Sequence, residues 1–302
     1  MIEPESTKNR DERELMFSVR VPYSLPCKMG NWNEALFLKE EKVVYETYKK
    51  DRCQLLLQKT RRMFRNLMKS TRLSHSLEMI KYGENYQIMA PDIVCFESKS
   101  KFRPIYLAGL ITEKEIDSSQ KLSHGCQIVG CVNGTACVRN TFRIVGCDRN
   151  KSGEPVHYGD DFYLQIVEDD GERPLYIQCE NTFNQMGYHL TPYLSECTGT
   201  YCRFKLLHFD PLLRFDHEGS FVRANDRVVI QHVPTGRNLA VESSMVPTFF
   251  GSEYKISCHT FRDTHKMETN ENIWKIVGED LPDINAMVRA AKGEEVPDEW
   301  IR

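Results

Sequence analysis

Two short sequence patterns recur three times along this chain of 302 residues, always in the same order. The first pattern is a turn, an acidic residue and then two apolar residues spaced two apart. Its copies are Tyr82–Ile88, Tyr158–Leu164 and Ala224–Ile230. Side chains two apart lie on the same face of a β-strand, so each copy predicts a strand with one buried face. Gly83, Gly159 and Asn225 stand where a tight turn requires positive φ.

The second pattern ends each unit. It consists of one aromatic residue, one basic residue, two aliphatic residues, two variable residues and an aspartate, in that order. Its copies are Phe142–Asp148, Phe204–Asp210 and Trp274–Asp280. A repeat of this kind indicates several copies of one supersecondary unit that bury a common core. Each unit has room for two more strands, and four strands in each of three units is the plan of a β-trefoil.

The predicted fold class is therefore mainly β, a β-trefoil with a helical or extended N-terminal arm and a short helical C-terminal tail. Residues 34–73 contain neither glycine nor proline and favour helix. The predicted segments are an extended tail at 1–28, a helical arm with a basic second helix at 29–78, a trefoil at 79–280 and a tail at 281–302. The repeats within the trefoil span about 79–149, 155–211 and 221–280.

Composition argues against several functions, although it leaves open binding through a local charged patch. Basic and acidic residues number 40 and 43, for a net charge of −3, which does not favour a nucleic-acid binder. No segment approaches the roughly 18 apolar residues of a membrane span, and residues 1–20 carry no apolar signal region. We therefore expect a soluble intracellular protein with no nucleic-acid or membrane partner.

No catalytic constellation is visible in the sequence. The motifs GxSxG, GxxxxGK[ST], HExxH and GxGxxG are all missing. Cys258, His259, Asp263 and His265 form the densest polar cluster, but their spacing matches no standard ligand set. The 11 cysteines contain no CxxC pair and are expected to be buried as small apolar side chains. We expect no enzymatic activity, no metal and no cofactor.

The second half of the helical arm is the better functional candidate because cations are concentrated there. Arg61, Arg65 and Lys69 are spaced four apart and share one helix face. The cations predicted to contact a partner are Arg61, Arg62, Arg65, Lys69 and Arg72. Such a face is also typical of a solvated amphipathic helix. Because aromatic residues do not alternate with the cations, the pattern favours an acidic protein partner over nucleic acid.

Several blocks resemble one family, the cilia- and flagella-associated protein 161 family. The blocks are Met29–Glu34, Tyr82–Glu84, Arg139–Phe142, His157–Phe162, Phe209–Pro211, Thr248–Gly251 and His259–Thr260 with Asp263 and His265. Together they cover roughly residues 29–279. The three-copy pattern also resembles the repeats of MIR-type trefoils.

The resemblance implies a microtubule inner protein of motile cilia. Such a protein lies in the lumen of axonemal doublet microtubules and binds α/β-tubulin and neighbouring inner proteins. Trp32 and Asn33, within one of the specific blocks, complete the predicted partner interface. The alternative is a trefoil that binds a sugar or an inositol phosphate. Only one loop, with His259, Arg262, His265 and Lys266, carries the cations that this alternative requires.

Overall fold

The computed structural model describes residues 32–75, 79–94, 102–147, 151–167, 173–180, 189–279 and 291–293, without the side chains of Trp32 and Asn33. The predicted tail at 1–28 lies outside the described residues. The described part of the predicted tail at 281–302, residues 291–293, forms only a short turn. The chain divides into two compact units, Met1–Leu55 and Leu56–Arg302.

The first unit contributes one described helix, α1, from Trp32 to Asp51. Glu34 lies in its first turn, and Lys49 and Lys50 lie in its last turn, which matches the charges that a helix dipole favours at each end. The helix ends just before Cys53, which adopts a positive φ of 55°. A helical N-terminal segment was predicted, and α1 confirms it.

The second unit adds the α-helices α2, Leu56–Leu67; α3, Glu113–Asp117; and α4, Arg214–His217. The sequence-based segment 29–78 placed both N-terminal helices in one arm. The structure instead assigns α2 to the second unit. The physical reason is burial, because Met63 and Leu67 on α2 are 0% and 1% exposed and belong to the main hydrophobic core.

Twelve strands make up most of the second unit. They are β1, Asn85–Val94; β2, Phe102–Leu110; β3, Gln127–Cys131; β4, Phe142–Gly146; β5, Asp161–Ile166; β6, Leu175–Gln178; β7, Tyr193–Ser195; β8, Arg203–His208; β9, Arg227–His232; β10, Arg237–Thr248; β11, Gly251–Cys258; and β12, Ile273–Val277. All pairings between them are antiparallel. The prediction of a mainly β chain is confirmed.

The strand pairings close the sheet on itself. One closed circuit runs through β1, β4, β5, β8, β9 and β12 and returns to β1. A longer circuit of ten strands leaves this ring at β9 and passes through β10, β11, β3, β7 and β6 to β5. From β5 it returns to β9 through β4, β1 and β12. Closure leaves the strands of the inner circuit without a free edge, which removes a common route to aggregation.

The repeated patterns coincide with the strands of the inner circuit. The openings form β1, β5 and β9, and the endings form β4, β8 and β12. Every apolar residue that the openings place on the inner face is at most 1% exposed: Tyr86, Ile88, Phe162, Leu164, Val228 and Ile230. The aromatic residues of the endings, Phe142, Phe204 and Trp274, are all 0% exposed. The period-2 prediction is confirmed because the barrel interior excludes water from one face of each strand.

Each repeat ties its opening turn to its own ending strand. The turn residues Gly83, Gly159 and Asn225 have φ of 85°, 90° and 65°. Their backbone N–H groups donate to the carbonyl oxygens of Ile144, Leu206 and Ile276, at 2.8, 3.0 and 3.0 Å. The acceptor is the third residue of the ending pattern in every case, so the three repeats share one hydrogen-bonding scheme.

A closed triangle of backbone hydrogen bonds joins the three repeats. The N–H of Val156 donates to the carbonyl of Ile80 at 2.8 Å, and the N–H of Val222 donates to that of Val156 at 2.9 Å. The N–H of Ile80 donates to the carbonyl of Val222 at 3.1 Å and closes the cycle. All three residues are 0% exposed and stand two positions before an opening pattern. Because these groups are buried, each bond satisfies polar atoms that water cannot reach.

Replacing Val156 with proline tests the triangle, because proline has no N–H to donate to Ile80. Val156→Ala is the matched control, since it loses side-chain volume but keeps the donor. We expect Val156→Pro to be less stable than Val156→Ala by at least about 1–3 kcal/mol, the cost of an unsatisfied buried polar group. Urea titration of both variants measures this difference. Equal unfolding free energies would show that the triangle is dispensable.

Candidate functional site

The helix α2 is held against the barrel by apolar contacts. Met63 and Leu67 are buried, and Phe64 meets Phe250 edge-on with ring centroids 5.1 Å apart. Met63 and Phe64 lie four and three positions before Leu67, which is the spacing of residues on one helix face. The face of α2 that contacts the barrel is therefore apolar, and its cations lie on the remaining surface.

Polar contacts fix the orientation of α2. Lys59 Nζ lies 3.0 Å from the Asp117 carboxylate, at the end of α3. The amide nitrogen of Asn66 donates to the carbonyl of Gln120 at 3.1 Å. Beyond the helix, the carbonyl of Lys69 accepts from the N–H of Val138 at 3.0 Å. A helix anchored at both ends presents its exposed side chains in a fixed arrangement.

The predicted cations of the second helix are all exposed. In the part of the chain that the structure describes, Arg61, Arg62 and Arg65 form no ion pair. Each guanidinium therefore keeps its full positive charge available to a partner. Lys69 and Arg72 follow the helix and are exposed as well. We call Arg61, Arg62, Arg65, Lys69 and Arg72 the basic surface.

The other two candidates, Trp32 and Asn33, lie in the first turn of α1, within the first compact unit. Their side chains lie outside the described residues. The structure therefore does not test whether they share an interface with the basic surface, and their role stays a prediction.

A pocket of about 570 Å³ opens beside α2 and is built entirely from the second unit. Its lining is mainly apolar and combines a helix, a loop and a hairpin. Phe64 and Met68 come from the helical side, Val132 from the loop after β3, and Phe249 and Phe250 from the turn between β10 and β11. Met68, Val132 and Phe249 are exposed at the rim. Such a concave apolar surface is suited to receiving an apolar side chain of a partner.

A buried ion pair forms one wall of the pocket. Arg139 Nη2 lies 2.6 Å from Glu253 Oε1, and the two side chains are 3% and 5% exposed. The Arg139 guanidinium also lies over the ring of Phe250, with its central carbon 3.8 Å from the ring centroid. Thr248 Oγ1 donates a second hydrogen bond to the Glu253 carboxylate at 2.9 Å. The two charges compensate each other, although Arg139 Nε is buried without a hydrogen-bond partner among the described residues.

Sequence reasoning did not assign a role to Arg139, Phe250 or Glu253. Two blocks that carry the family resemblance, Arg139–Phe142 and Thr248–Gly251, meet at this point in space. They are about 110 residues apart in sequence, so no local pattern joins them. The resemblance was the available signal, and it marked both blocks without showing that they touch.

The structure gives ordinary turn and stacking contacts to the polar cluster that contains Cys258, His259, Asp263 and His265. Among the described residues, no group of three or more metal-ligating side chains converges. His259 instead stacks on His189, with ring centroids 4.0 Å apart. Asp263 Oδ1 accepts from the backbone N–H groups of His265 and Met267 at 2.8 and 2.9 Å, as in an ordinary turn. The ligand-binding alternative that uses this loop stays a prediction.

Most of the described cysteines are buried, as expected. Cys126, Cys131, Cys137, Cys179, Cys202 and Cys258 are buried, whereas Cys53 and Cys197 are exposed. Burial raises the pKa of Cys131 to about 11, which keeps its thiol protonated and unreactive near neutral pH. In addition, none of the described helices has the length and apolar character needed to cross a bilayer.

Comparison with known proteins identifies the class to which this chain belongs. Residues 59–199 and 185–279 match the family model of the cilia- and flagella-associated protein 161-like domain. The chain is 31% identical to the mouse (Mus musculus) cilia- and flagella-associated protein 161 over 266 residues, which cover 84% of this chain and 88% of that protein. The corresponding cattle (Bos taurus) protein is 30% identical over 287 residues, covering 89% and 87%.

These matches place the chain in the class of cilia- and flagella-associated proteins. More narrowly, the chain belongs to the cilia- and flagella-associated protein 161 family. The resemblance found in the sequence is thereby confirmed. Two solved structures also align with the fold. A Caenorhabditis elegans protein of unknown function gives a TM-score of 0.46 at 11% identity, covering 68% of this chain and 99% of that one. An SDF2-like protein from Arabidopsis thaliana gives 0.45 at 15% identity, covering 67% and 97%.

Replacing Glu253 with glutamine tests the buried ion pair. The change leaves the Arg139 charge buried without a counter-ion, which typically costs about 3–5 kcal/mol of unfolding free energy. The double variant with Arg139→Met and Glu253→Leu should recover much of this loss. Glu196→Gln is the control, because Glu196 pairs with Arg173 on the surface and should change stability by less than about 1 kcal/mol. Denaturant titration of the three variants and of the unchanged chain gives these values, and equal costs for Glu253→Gln and Glu196→Gln would contradict the prediction.

Proposed function

We propose that this chain is a structural microtubule inner protein in the lumen of axonemal doublet microtubules. In this role it binds α/β-tubulin and neighbouring inner proteins and stabilises the doublet during ciliary beating. It acts as a rigid component of the lattice and requires no cofactor or catalytic reaction. Membership in a family associated with cilia and flagella supports the cellular context of this proposal.

The single observation that carries the tubulin contact is the basic surface. Tubulin is an acidic protein, and the exposed guanidinium groups of Arg61, Arg62 and Arg65 offer unpaired charge, counted over the described residues. Individual exposed ion pairs contribute only about 0.2–1 kcal/mol each. Several ion pairs on one anchored helix contribute together, and the cations also raise the rate of encounter with an acidic surface.

We also propose that the barrel is a β-trefoil. Three observations support this assignment: the inner circuit of six strands, the same turn-to-strand hydrogen bond in every repeat, and the triangle formed by Ile80, Val156 and Val222. A closed barrel of this kind is a suitable scaffold, because it holds loops and α2 in place with little internal motion.

Reversing the charge of the basic surface tests the tubulin contact. The triple variant Arg61→Glu, Arg62→Glu and Arg65→Glu should bind tubulin dimers at least about tenfold more weakly, a loss of about 1.4 kcal/mol. All three residues are exposed, so the fold should remain intact. Binding is measured by sedimentation of the full chain with tubulin at low and physiological salt, since exposed contacts weaken as salt rises.

The matched control reverses three exposed cations elsewhere on the second unit: Arg223→Glu, Lys255→Glu and Lys266→Glu. This variant carries the same change in net charge. Similar weakening of both variants would show that net charge, rather than the basic surface, controls binding. The position in the lumen is tested separately by electron cryomicroscopy of native doublets, where density for this chain on the outer wall would overturn the proposal.

A further inference from the structure

The two most exposed large apolar side chains in the described part of the chain lie on one short turn. Leu212 is 82% exposed and Phe215 is 86% exposed. Both lie around the start of α4, in the connection between β8 and β9. Because they are three positions apart, they project from the same side of a helical turn. Phe209, Leu213 and Phe221, in the same connection, are exposed by 39%, 40% and 49%. We call Leu212 and Phe215 the apolar knob.

The turn that carries the knob is fixed by hydrogen bonds. Asp210 Oδ1 accepts from the N–H of Leu212 at 2.9 Å and caps the turn. Arg214 Nε donates to the carbonyl of His208 at 2.9 Å, and Arg214 Nη1 lies 3.1 Å from Glu268 Oε1. The rings of His208 and His217 stack with centroids 4.4 Å apart. The side chains of the turn thus tie it to β8 and to the loop before β12.

A fixed turn that exposes two large apolar side chains is the form expected of an interface anchor. Exposing them to water is unfavourable, and nothing in the local hydrogen bonding requires leucine or phenylalanine at these two positions. Anchors that are already ordered before binding lose little conformational entropy when they enter a pocket. At protein interfaces, a few side chains seated in well-packed, desolvated pockets account for most of the binding energy.

The charge around the knob indicates the chemistry of its partner. Asp216 and Glu218 are exposed beside it. The arginine of the turn, Arg214, is compensated by its ion pair with Glu268. The exposed charged side chains directly beside the knob on this turn are therefore both acidic, in contrast to the basic surface on α2. An acidic surface is repelled by anionic lipid and by an acidic protein such as tubulin, and it fits a basic partner.

We propose that the apolar knob is a second docking surface, which inserts into an apolar pocket bordered by lysine or arginine on an axonemal protein other than tubulin. With the basic surface on α2, it makes this chain a bridge between an acidic partner and a basic one. The proposal deepens the proposed function, because it assigns a surface and a chemistry to the contact with a non-tubulin partner, and it rests on that function for placing the chain in the axoneme.

Site-specific photo-crosslinking tests the second surface. The full chain is expressed in ciliated cells in place of the native one, with p-benzoylphenylalanine at position 212 or 215, and isolated axonemes are irradiated. We expect both positions to form an adduct with the same non-tubulin polypeptide. The crosslinked peptide should be apolar and have lysine or arginine neighbours. The control position is Phe102 on β2, which is 59% exposed and should give at least about tenfold less adduct.

Charge reversal of the acidic border adds a second readout. Asp216→Lys with Glu218→Lys should lower the adduct yield from position 215, because these lysines would face basic side chains of the partner. Four outcomes would overturn the proposal: no adduct, an adduct with tubulin, an adduct lacking basic neighbours, or equal yields from position 102. An unchanged yield after charge reversal would overturn the basic character of the partner.

A second copy of this chain is the alternative occupant, because its own pocket beside α2 is mainly apolar and α2 carries exposed cations such as Arg65. Analytical ultracentrifugation of the purified chain distinguishes this case. If the chain is a monomer at all concentrations, the proposal of a different partner protein stands. Self-association that is lost in Phe215→Ser would overturn that proposal. Failure of the second surface leaves tubulin binding by α2 intact, so the two proposals fail independently.

Discussion

The triangle of hydrogen bonds between Ile80, Val156 and Val222 is the constraint on which the barrel depends. Each repeat donates one N–H to the repeat before it, and the first donates to the third, so the cycle closes only when all three repeats are in place. The bonds are formed in a site without water, where an unpaired N–H or carbonyl is costly. This requirement joins the segments that lead into β1, β5 and β9 directly to one another.

A rigid barrel determines what the helix α2 can do. Met63 and Leu67 join the core, and Phe64 contacts a ring that is itself held by the Arg139–Glu253 pair. The cations on the outer side of α2 therefore keep their relative positions. A free helix with the same charges would lose conformational entropy on binding, whereas an anchored one has already lost it on folding.

The charge distribution is more informative than the net charge of −3. Cations are exposed on α2, and acids border the knob formed by Leu212 and Phe215. The two surfaces therefore favour partners of opposite charge. Two such surfaces on one barrel unit support the proposed role of this chain in joining two partners.

The sequence by itself determined the three repeats, the buried faces of their strands and the cations of α2. These features depend on local spacing, because a strand buries alternate residues and a helix aligns residues four apart. Only the tertiary structure decided that α2 belongs to the barrel unit, that Arg139 stacks on Phe250 across about 110 residues of sequence, and that Leu212 and Phe215 remain exposed. Those outcomes depend on which distant segments exclude water from each other, and no local pattern encodes that exclusion.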